Sequence, residues 1–171
     1  FAPRYRFTNQ FSLRYNLFFN NTNDDQGFVN QNDTDIIFGM RDRKSYTNTI
    51  SGNYSFSTNS SLSLSFRHYW SSAHYNNYFN LNNNGGLDPN NTYTGSNVNF
   101  NSWNLDLNYI WQFAPGSQLI AFYRNSIFNS DTNSNLNFYD NLDNLFNQSQ
   151  SHTFSVRFVY FIDYNNIKNI F

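Results

Sequence analysis

The sequence predicts an all-β protein with one structural domain over residues 1–171, and composition, patterning and length lead to that class. All 11 acidic residues are aspartates, only two lysines are present, and aromatic residues make up 21% of the chain. Helices draw on Ala, Glu, Lys and Leu, whereas strands favour aromatic and β-branched residues. Apolar and polar residues alternate with a period of two over long runs, as in strands with one apolar face. A chain of 171 residues leaves room for one core or one small barrel.

Seven alternating segments are predicted as strands. In chain order they cover residues 5–19, 35–41, 46–56, 61–70, 102–113, 118–128 and 153–162. The first has Leu13 on its apolar face and Arg14 on the opposite face, while the second and third are weaker. A further strand near residues 26–30 would raise the number from seven to eight.

The fourth and fifth segments carry the clearest alternation. Leu64 and Arg67 lie on opposite faces of the fourth, and Leu107 and Asp106 lie on opposite faces of the fifth. The alternation is blurred in the sixth segment, where two apolar residues share the face of Arg124, and it is regular again in the last.

The connections alternate in length along the chain. Residues 57–60 and 114–117 are tight turns, whereas residues 74–98 and 130–148 are long Asn-rich loops. Bacterial outer-membrane barrels have short periplasmic turns and long external loops. The pattern predicts an antiparallel transmembrane β-barrel with the long loops outside the cell and the tight turns in the periplasm.

Charged residues fall opposite the apolar face, which favours a membrane barrel over a soluble β-sandwich. The solvent face of a sandwich normally carries Lys and Glu, yet the chain has two Lys and no Glu. A charged side chain facing lipid costs about 2–4 kcal/mol at the bilayer midplane. The polar residues predicted to face the lumen are Arg6, Arg14, Arg67, Asp106, Arg124 and Arg157. The residues predicted to face lipid are Leu62, Leu64, Phe66, Trp103, Leu105, Leu107, Phe154, Val156 and Phe158.

The residues of catalytic or metal-binding type form no convincing site. His68 and His74 would lie about 20 Å apart on one strand, too far for one metal, so each histidine is expected at a surface or interface. The Asn-rich stretch at residues 80–85 resembles the start of a calcium loop, but Asn91 stands where a bidentate Glu is needed. Asp106 is the only carboxylate placed mid-strand on the polar face, and no Gly-x-Ser-x-Gly elbow occurs. We therefore expect no catalytic residue, no cofactor and no bound metal.

Four segments carry a family resemblance. They are Ile37-Phe-Gly-Met-Arg-Asp42, Leu64-Ser-Phe-Arg-His-Tyr-Trp-Ser71, Tyr109-Ile-Trp-Gln-Phe-Ala-Pro-Gly-Ser117 and Tyr160-Phe-Ile-Asp-Tyr164. The chain, from about Ile36 onward, resembles the C-terminal barrel region of Bacteroidota outer-membrane proteins that join a carbohydrate-binding-like (family nine) N-terminal module to a barrel domain of unknown function. The N-terminal module has no counterpart here, so glycan binding located there does not carry over, and the family offers no catalytic residues to transfer.

The resemblance implies that these residues are the C-terminal part of a larger barrel. Single-chain bacterial barrels have an even number of strands, at least eight, whereas the alternation yields seven or eight. In a small closed barrel the first strand, around Leu13, would instead pair with the last, around Phe158.

The expected function is a non-enzymatic wall segment of an outer-membrane barrel that anchors, or forms a channel for, a larger protein. Its partners would be the lipid bilayer and either the upstream part of the same barrel or an associated outer-membrane complex. With a net charge of −1 and aromatic and basic residues on opposite faces, no nucleic-acid partner is expected. The polar lumen residues either line an anion-preferring pore, hold a plug or simply fill the lumen. The alternative is a soluble or secreted β-rich binding module that uses its aromatic face.

Overall fold

One antiparallel sheet dominates the computed structural model, which describes residues 1–32 and 34–162. Its strands are β1 (Arg4–Arg6), β2 (Phe11–Gln31), β3 (Ile36–Ser57), β4 (Ser60–Leu81), β5 (Leu87–Pro89), β6 (Val98–Ala114), β7 (Ser117–Asp131) and β8 (Gln150–Val159). A helix, α1 (Phe138–Phe146), lies between β7 and β8. Asp163, Tyr164 and Phe171, which belong to the C-terminal part of the resemblance, lie outside the described residues.

Apart from β5, strands that follow one another in the chain are neighbours in the sheet, in the order β1-β2-β3-β4-β6-β7-β8, and the short β5 pairs with the end of β4. Every pairing between the described strands is antiparallel, so the predicted all-β antiparallel class is confirmed. The described part of the sheet has eight strands, and the two short ones, β1 and β5, were not predicted as separate strands. The sheet is not closed within the described residues: Leu13 pairs with Tyr5 and Gly52, while Phe158 pairs with Leu119. The pairing of first and last strands that a small closed barrel requires is therefore absent there.

The predicted first strand, residues 5–19, was wrong: it is divided between β1 and β2, which pair with each other across a turn at residues 7–10. The predicted strand boundaries were also wrong in the half of the sheet next to the long loops. Segments 35–41 and 46–56 form one continuous strand, β3, and residues 26–30 belong to the end of β2. Strand β4 likewise continues to Leu81, through residues predicted as loop. In this half both faces carry polar residues, so hydropathy no longer alternates although the backbone hydrogen-bond ladder continues.

The connections lie at two distinct ends of the sheet. The tight turns after β3 and β6 lie at one end, called the tight-turn end, and Gly116 supplies the positive φ of 71° that the second turn requires. The connections β2–β3, β4–β6 and β7–β8 lie at the other end, called the loop end. Antiparallel pairing forces this separation, because successive connections of a meander alternate between the two ends.

Helix α1 forms inside the connection predicted as a loop over residues 130–148. Asn137 caps its first turn by accepting hydrogen bonds from the N–H groups of Tyr139 and Asp140, both at 3.0 Å. Asn141 and Leu145, one turn apart, are fully buried and turn the helix toward the sheet. Among the described residues, no helix is both long and apolar enough to traverse a membrane.

Candidate functional site

The strand register sorts side chains into two faces of the sheet, because directly paired residues of antiparallel strands share a face. One row, called the apolar row, runs across six strands through Leu13, Gly52, Leu64, Leu107, Tyr123 and Phe154. The row beside it on the other side of the sheet runs through Arg14, Ser51, Ser65, Asp106 and Arg124. We call the two sides the apolar face and the polar face.

The site residues predicted from the sequence lie on the faces that the alternation along each strand assigns to them. The nine proposed lipid-facing residues lie on the apolar face, and Leu105, for example, pairs with Phe66. The six proposed lumen-facing residues lie on the polar face, where Asp106 pairs directly with Arg124. Strand β7 places Ile120 and Phe122 on the polar face as well, which accounts for its blurred alternation.

An apolar band crosses the half of the apolar face next to the tight-turn end. On β6 it extends over the nine residues from Trp103 to Trp111. Across β2 to β8 this band contains no Asp, Glu, Lys or Arg on the apolar face. In the paired parts of the described strands, the charged residues on this face lie beyond the band toward the loop end, at Asp42, Lys44 and Asp131.

Aromatic rings border the band at the tight-turn end. A continuous series of ring contacts, with centroids 4.6 to 6.0 Å apart, joins Tyr5, Phe7, Phe11, Tyr54, Phe56 and Tyr109. A second series joins Trp111, Phe113, Phe158 and Tyr160, with Phe113 stacked on Phe158 at 5.2 Å. These two series give the band an aromatic edge from β1 to the residues just after β8.

A second aromatic border marks the other edge of the band, where α1 covers the sheet. Tyr46 stacks on Trp70 with centroids 5.0 Å apart and planes inclined by 9°. From α1, Phe138 packs against both rings and Phe146 packs on Trp103 at 4.9 Å. Trp103, predicted to face lipid, therefore lies at the edge of the band, partly under the helix.

Beneath α1, this face of the sheet carries buried polar residues. Trp70 Nε1 donates to Asn99 Oδ1 at 2.8 Å, and Asn99 Nδ2 donates to Asn141 Oδ1 at 3.2 Å. Asn101 Nδ2 donates to the Asn141 carbonyl oxygen at 3.3 Å. Asn99, Asn101 and Asn141 are fully buried, and Asn141 Nδ2 has no hydrogen-bond partner among the described residues. These amides fasten the helix to the sheet.

Asp131, at the loop end of β7 and beyond the band, holds the C-terminal half of α1. Its carboxylate accepts hydrogen bonds from Asn99 and Asn129 of the sheet and from Asn144 of the helix, at 2.7 to 3.1 Å. Burial alone raises the pKa of Asp131, but the hydrogen bonds from Asn133 and these side chains lower it overall. The ionised carboxylate is thus the stable form and joins strand to helix.

His68 corrects the expectation of a surface or interfacial histidine. Its side chain is 2% exposed, its Nε2 lies 3.1 Å from Asn101 Oδ1 and its Nδ1 lies 3.4 Å from Asn48 Nδ2. The burial arises because α1 folds back onto the sheet and brings Phe138 within 5.8 Å of the imidazole ring. His68 is part of a packed polar cluster.

The other candidate metal ligands also have structural partners. His74 Nδ1 lies 3.0 Å from Ser134 Oγ, and His152 Nδ1 lies 2.9 Å from Tyr123 Oη. In the Asn-rich stretch that resembles a calcium loop, Asn82 Oδ1 accepts hydrogen bonds from two backbone N–H groups and closes a turn. Over residues 1–32 and 34–162 no cluster of His, Cys, Asp or Glu has the arrangement of a metal site.

The polar face carries two ion-paired groups of arginines. Arg124 donates from Nε and Nη2 to the two carboxylate oxygens of Asp106, both at 2.7 Å, in a two-pronged arrangement between neighbouring strands. Nearer the loop end, Arg41 and Arg43 both bond to Asp25, at 3.0 and 3.2 Å. The alternation in the sequence placed Asp106 and Arg124 on the same face, and the structure shows that they are direct cross-strand partners. The second group was missed because Asp25 lay outside the predicted strands, whereas it belongs to β2.

Comparison with known proteins identifies the family. A family model described as "Domain of unknown function (DUF5916)" matches residues 1–171. Because the match spans the whole chain, the protein belongs to this family. No curated protein and no solved structure matches the chain.

Proposed function

We propose that this member of the DUF5916 family is a non-enzymatic wall segment of a transmembrane β-barrel in a bacterial outer membrane, and that it anchors, or forms a channel for, a larger protein. The observation that carries the proposal is the uncharged apolar band between two aromatic borders. Outer-membrane barrels have an outward apolar band flanked by aromatic girdles and an inward polar face. The two faces of this sheet match that arrangement.

The height of the band supports a bilayer crossing. A tilted strand needs about 9–11 residues to cross the hydrocarbon core of a bilayer. The band spans nine residues of β6, from Trp103 to Trp111. The remaining length of β2, β3 and β4 would extend beyond the membrane on the side of the loop end, where both faces are polar.

The exposure of the apolar face also argues against a soluble monomer. Phe154 is 70% exposed, Phe158 is 64% exposed and Tyr5 is 65% exposed. Contiguous apolar patches larger than a few hundred Å² are rare on soluble monomers and mark surfaces that bind protein or membrane. Lipid would cover this surface without any further protein partner.

The open edges of the sheet favour a larger barrel. The N–H and C=O groups of a strand edge cannot remain unpaired within lipid. Strand β8 pairs only with β7 in the described part of the chain, and residues 1–6 cover β2 only as far as Leu17, leaving the rest of that long strand without a neighbour on this side. Further strands, from the upstream part of the same barrel or from an associated outer-membrane complex, would complete the wall.

The proposal extends to the source and orientation of the barrel. The sequence resemblance favours the outer-membrane proteins of Bacteroidota that carry a carbohydrate-binding-like N-terminal module. The polar face, with Arg14, Arg67 and Asp106, would line the lumen. The loop end would face the outside of the cell and the tight-turn end the periplasm, as in known barrels.

Proteolysis of intact cells is expected to cut only at the loop end. A broad-specificity protease added outside should cleave within residues 82–97 or 132–137, because these connections would be extracellular. The turns at residues 58–59 and 115–116 should be cut only after the outer membrane is permeabilised. Mass spectrometry of the fragments reports both, and cleavage confined to the tight turns in intact cells would reverse the proposed orientation.

Heat-modifiable migration in SDS gels tests the membrane barrel itself. The natural full-length protein extracted from outer membranes should migrate differently before and after boiling and should require detergent to stay in solution. The same gel mobility before and after boiling, together with a monodisperse species in plain buffer, would instead support the soluble binding module.

A further inference from the structure

We propose that Arg4 and Arg14 form a binding site for a phosphate group on the polar face, near the tight-turn end. The two residues are cross-strand partners, Arg4 on β1 opposite Arg14 on β2. Directly opposed side chains of antiparallel strands have Cβ atoms about 4.5–5.5 Å apart, and like charges in these positions destabilise the pairing. An anion bound by both guanidinium groups would offset that repulsion.

No carboxylate of the described residues serves these two arginines. On this face Arg41 and Arg43 pair with Asp25, and Arg124 pairs with Asp106. Arg67 and Arg157 have no acidic partner among the described residues either, but their cross-strand partners are neutral, so neither faces a second arginine. In the row of Arg14, the next residues across the sheet are Ser51 and Ser65, both neutral. Asp106 follows three strands away, about 14 Å at the usual strand spacing, and both its oxygens already accept from Arg124.

A third arginine near the pair, Arg6, forms hydrogen bonds with backbone carbonyl groups. Arg6 Nε donates to the carbonyl oxygen of Thr8 at 3.2 Å, and its Nη2 approaches that of Asn9 at 3.4 Å. These contacts hold the side chain of Arg6, the last residue of β1, against the β1–β2 turn. Arg6 adds positive potential beside Arg4 and Arg14, while two of its hydrogen-bond donors are engaged with the turn.

A depression of suitable size lies between the two arginines. It has a volume of about 230 Å³, and Arg4, Ser12, Arg14, Ser51 and Asn53 form its walls. Leu13 and Gly52 also line it: the Leu13 side chain belongs to the apolar face and Gly52 has none, so both contribute backbone to the floor. An adjoining depression of about 310 Å³ shares Arg4, Ser12 and Asn53 and extends to Arg6. Two hydroxyl groups and one amide thus supplement the guanidinium donors.

Charge and shape together favour phosphate over a single carboxylate. Two guanidinium groups carry two positive charges, and a phosphate monoester carries about −1.5 to −2 at pH 7. Arginine offers planar paired donors that match phosphate oxygens in a bidentate manner. The ligand class is therefore a small solute with a terminal phosphate, approaching from the polar face. The site does not depend on whether the apolar face contacts lipid.

Titration calorimetry with sodium phosphate tests the site, using the full chain in a non-ionic detergent at constant ionic strength adjusted with NaCl. We expect saturable binding of phosphate and of sulfate, but much weaker binding of acetate. Arg4→Gln and Arg14→Gln should each weaken phosphate binding about tenfold or more. Arg157→Gln, on the same face of β8, removes the same charge far from the pair and should change the affinity less than twofold.

Circular dichroism of each variant verifies that the sheet is retained, and Arg4→Gln and Arg14→Gln act from different strands. Absence of saturable phosphate binding to the wild-type chain would overturn the proposal, as would equal losses in Arg14→Gln and Arg157→Gln. Tighter binding of acetate than of phosphate would overturn the assignment to a dianion. Phosphate binding by a chain that fails to show heat-modifiable migration would leave this site intact while contradicting the membrane barrel.

Discussion

Leu64→Arg is expected to prevent most of the protein from folding into detergent micelles or bilayers, whereas Arg67→Leu should leave the folding yield nearly unchanged. Leu64 lies in the middle of the apolar band, in the row of Leu107 and Tyr123. A charged side chain at the midplane of a bilayer costs about 2–4 kcal/mol, which is a large part of the stability of a small domain. Arg67 lies on the polar face of the same strand and has no ionic partner among the described residues.

The two substitutions differ by three positions in one strand and exchange the same two residue types, so they form a matched pair. The readout is the folded fraction after dilution from urea into vesicles, measured by gel mobility without boiling. Leu107→Arg should repeat the effect of Leu64→Arg from the neighbouring strand. Equal damage from Leu64→Arg and Arg67→Leu would show that the faces do not differ in environment and would contradict the membrane assignment.

Leu145→Asp is expected to detach helix α1 from the sheet without unfolding the strands. Leu145 is completely buried, and a carboxylate at this position would be desolvated beside apolar groups. Losing a buried leucine alone costs about 2–5 kcal/mol of packing free energy. A nine-residue helix is not stable by itself in water, so α1 depends on this packing. The sheet should persist because its backbone ladder from β2 to β8 does not pass through α1.

Amide hydrogen exchange measures this detachment directly. Protection over residues 138–146 should fall to the level of an open loop, while protection of β4 and β6 stays high. Fluorescence should shift to longer wavelength, because Trp70 is 4% exposed under the helix and would meet water. Tyr139→Ser is the control: Tyr139 lies on the same helix but is 78% exposed, so its loss should change neither signal. Retained protection of α1 in Leu145→Asp would contradict this prediction and would mean that the asparagine hydrogen bonds suffice to hold the helix on the sheet.

Helix α1 also shows how the loop end differs physically from the band. The band carries no charged residue and is mostly apolar, with Asn125 and His152 as polar residues on β7 and β8, whereas Asn99 and Asn101 place buried amides on the same face beneath the helix. Those amides bond to Asn141 of the helix, and Leu145 excludes water beside them. The edge of α1 is therefore where the proposed membrane surface would begin.

The local sequence determined which side chains share a face in the band. Alternation with a period of two is a property of each strand alone, so Leu64 and Arg67 could be assigned to opposite faces without knowing any partner strand. The tight turns at residues 57–60 and 114–117 were also readable, because Asn and Ser in the first, and Pro and Gly in the second, favour turns locally. The all-β class follows from the same local signals.

Only the tertiary structure decided where strands continue, what the long connections do and which charges meet. Residues 42–45 carry no alternation, yet they remain in strand β3 because β2 and β4 supply their hydrogen bonds. The signal for α1, an Asn cap followed by Asp140 and two leucines, was present but lay within an Asn-rich stretch that resembles a loop. The burial of His68 and the juxtaposition of Arg4 with Arg14 depend on pairing between separate segments, which hydropathy along one segment does not encode.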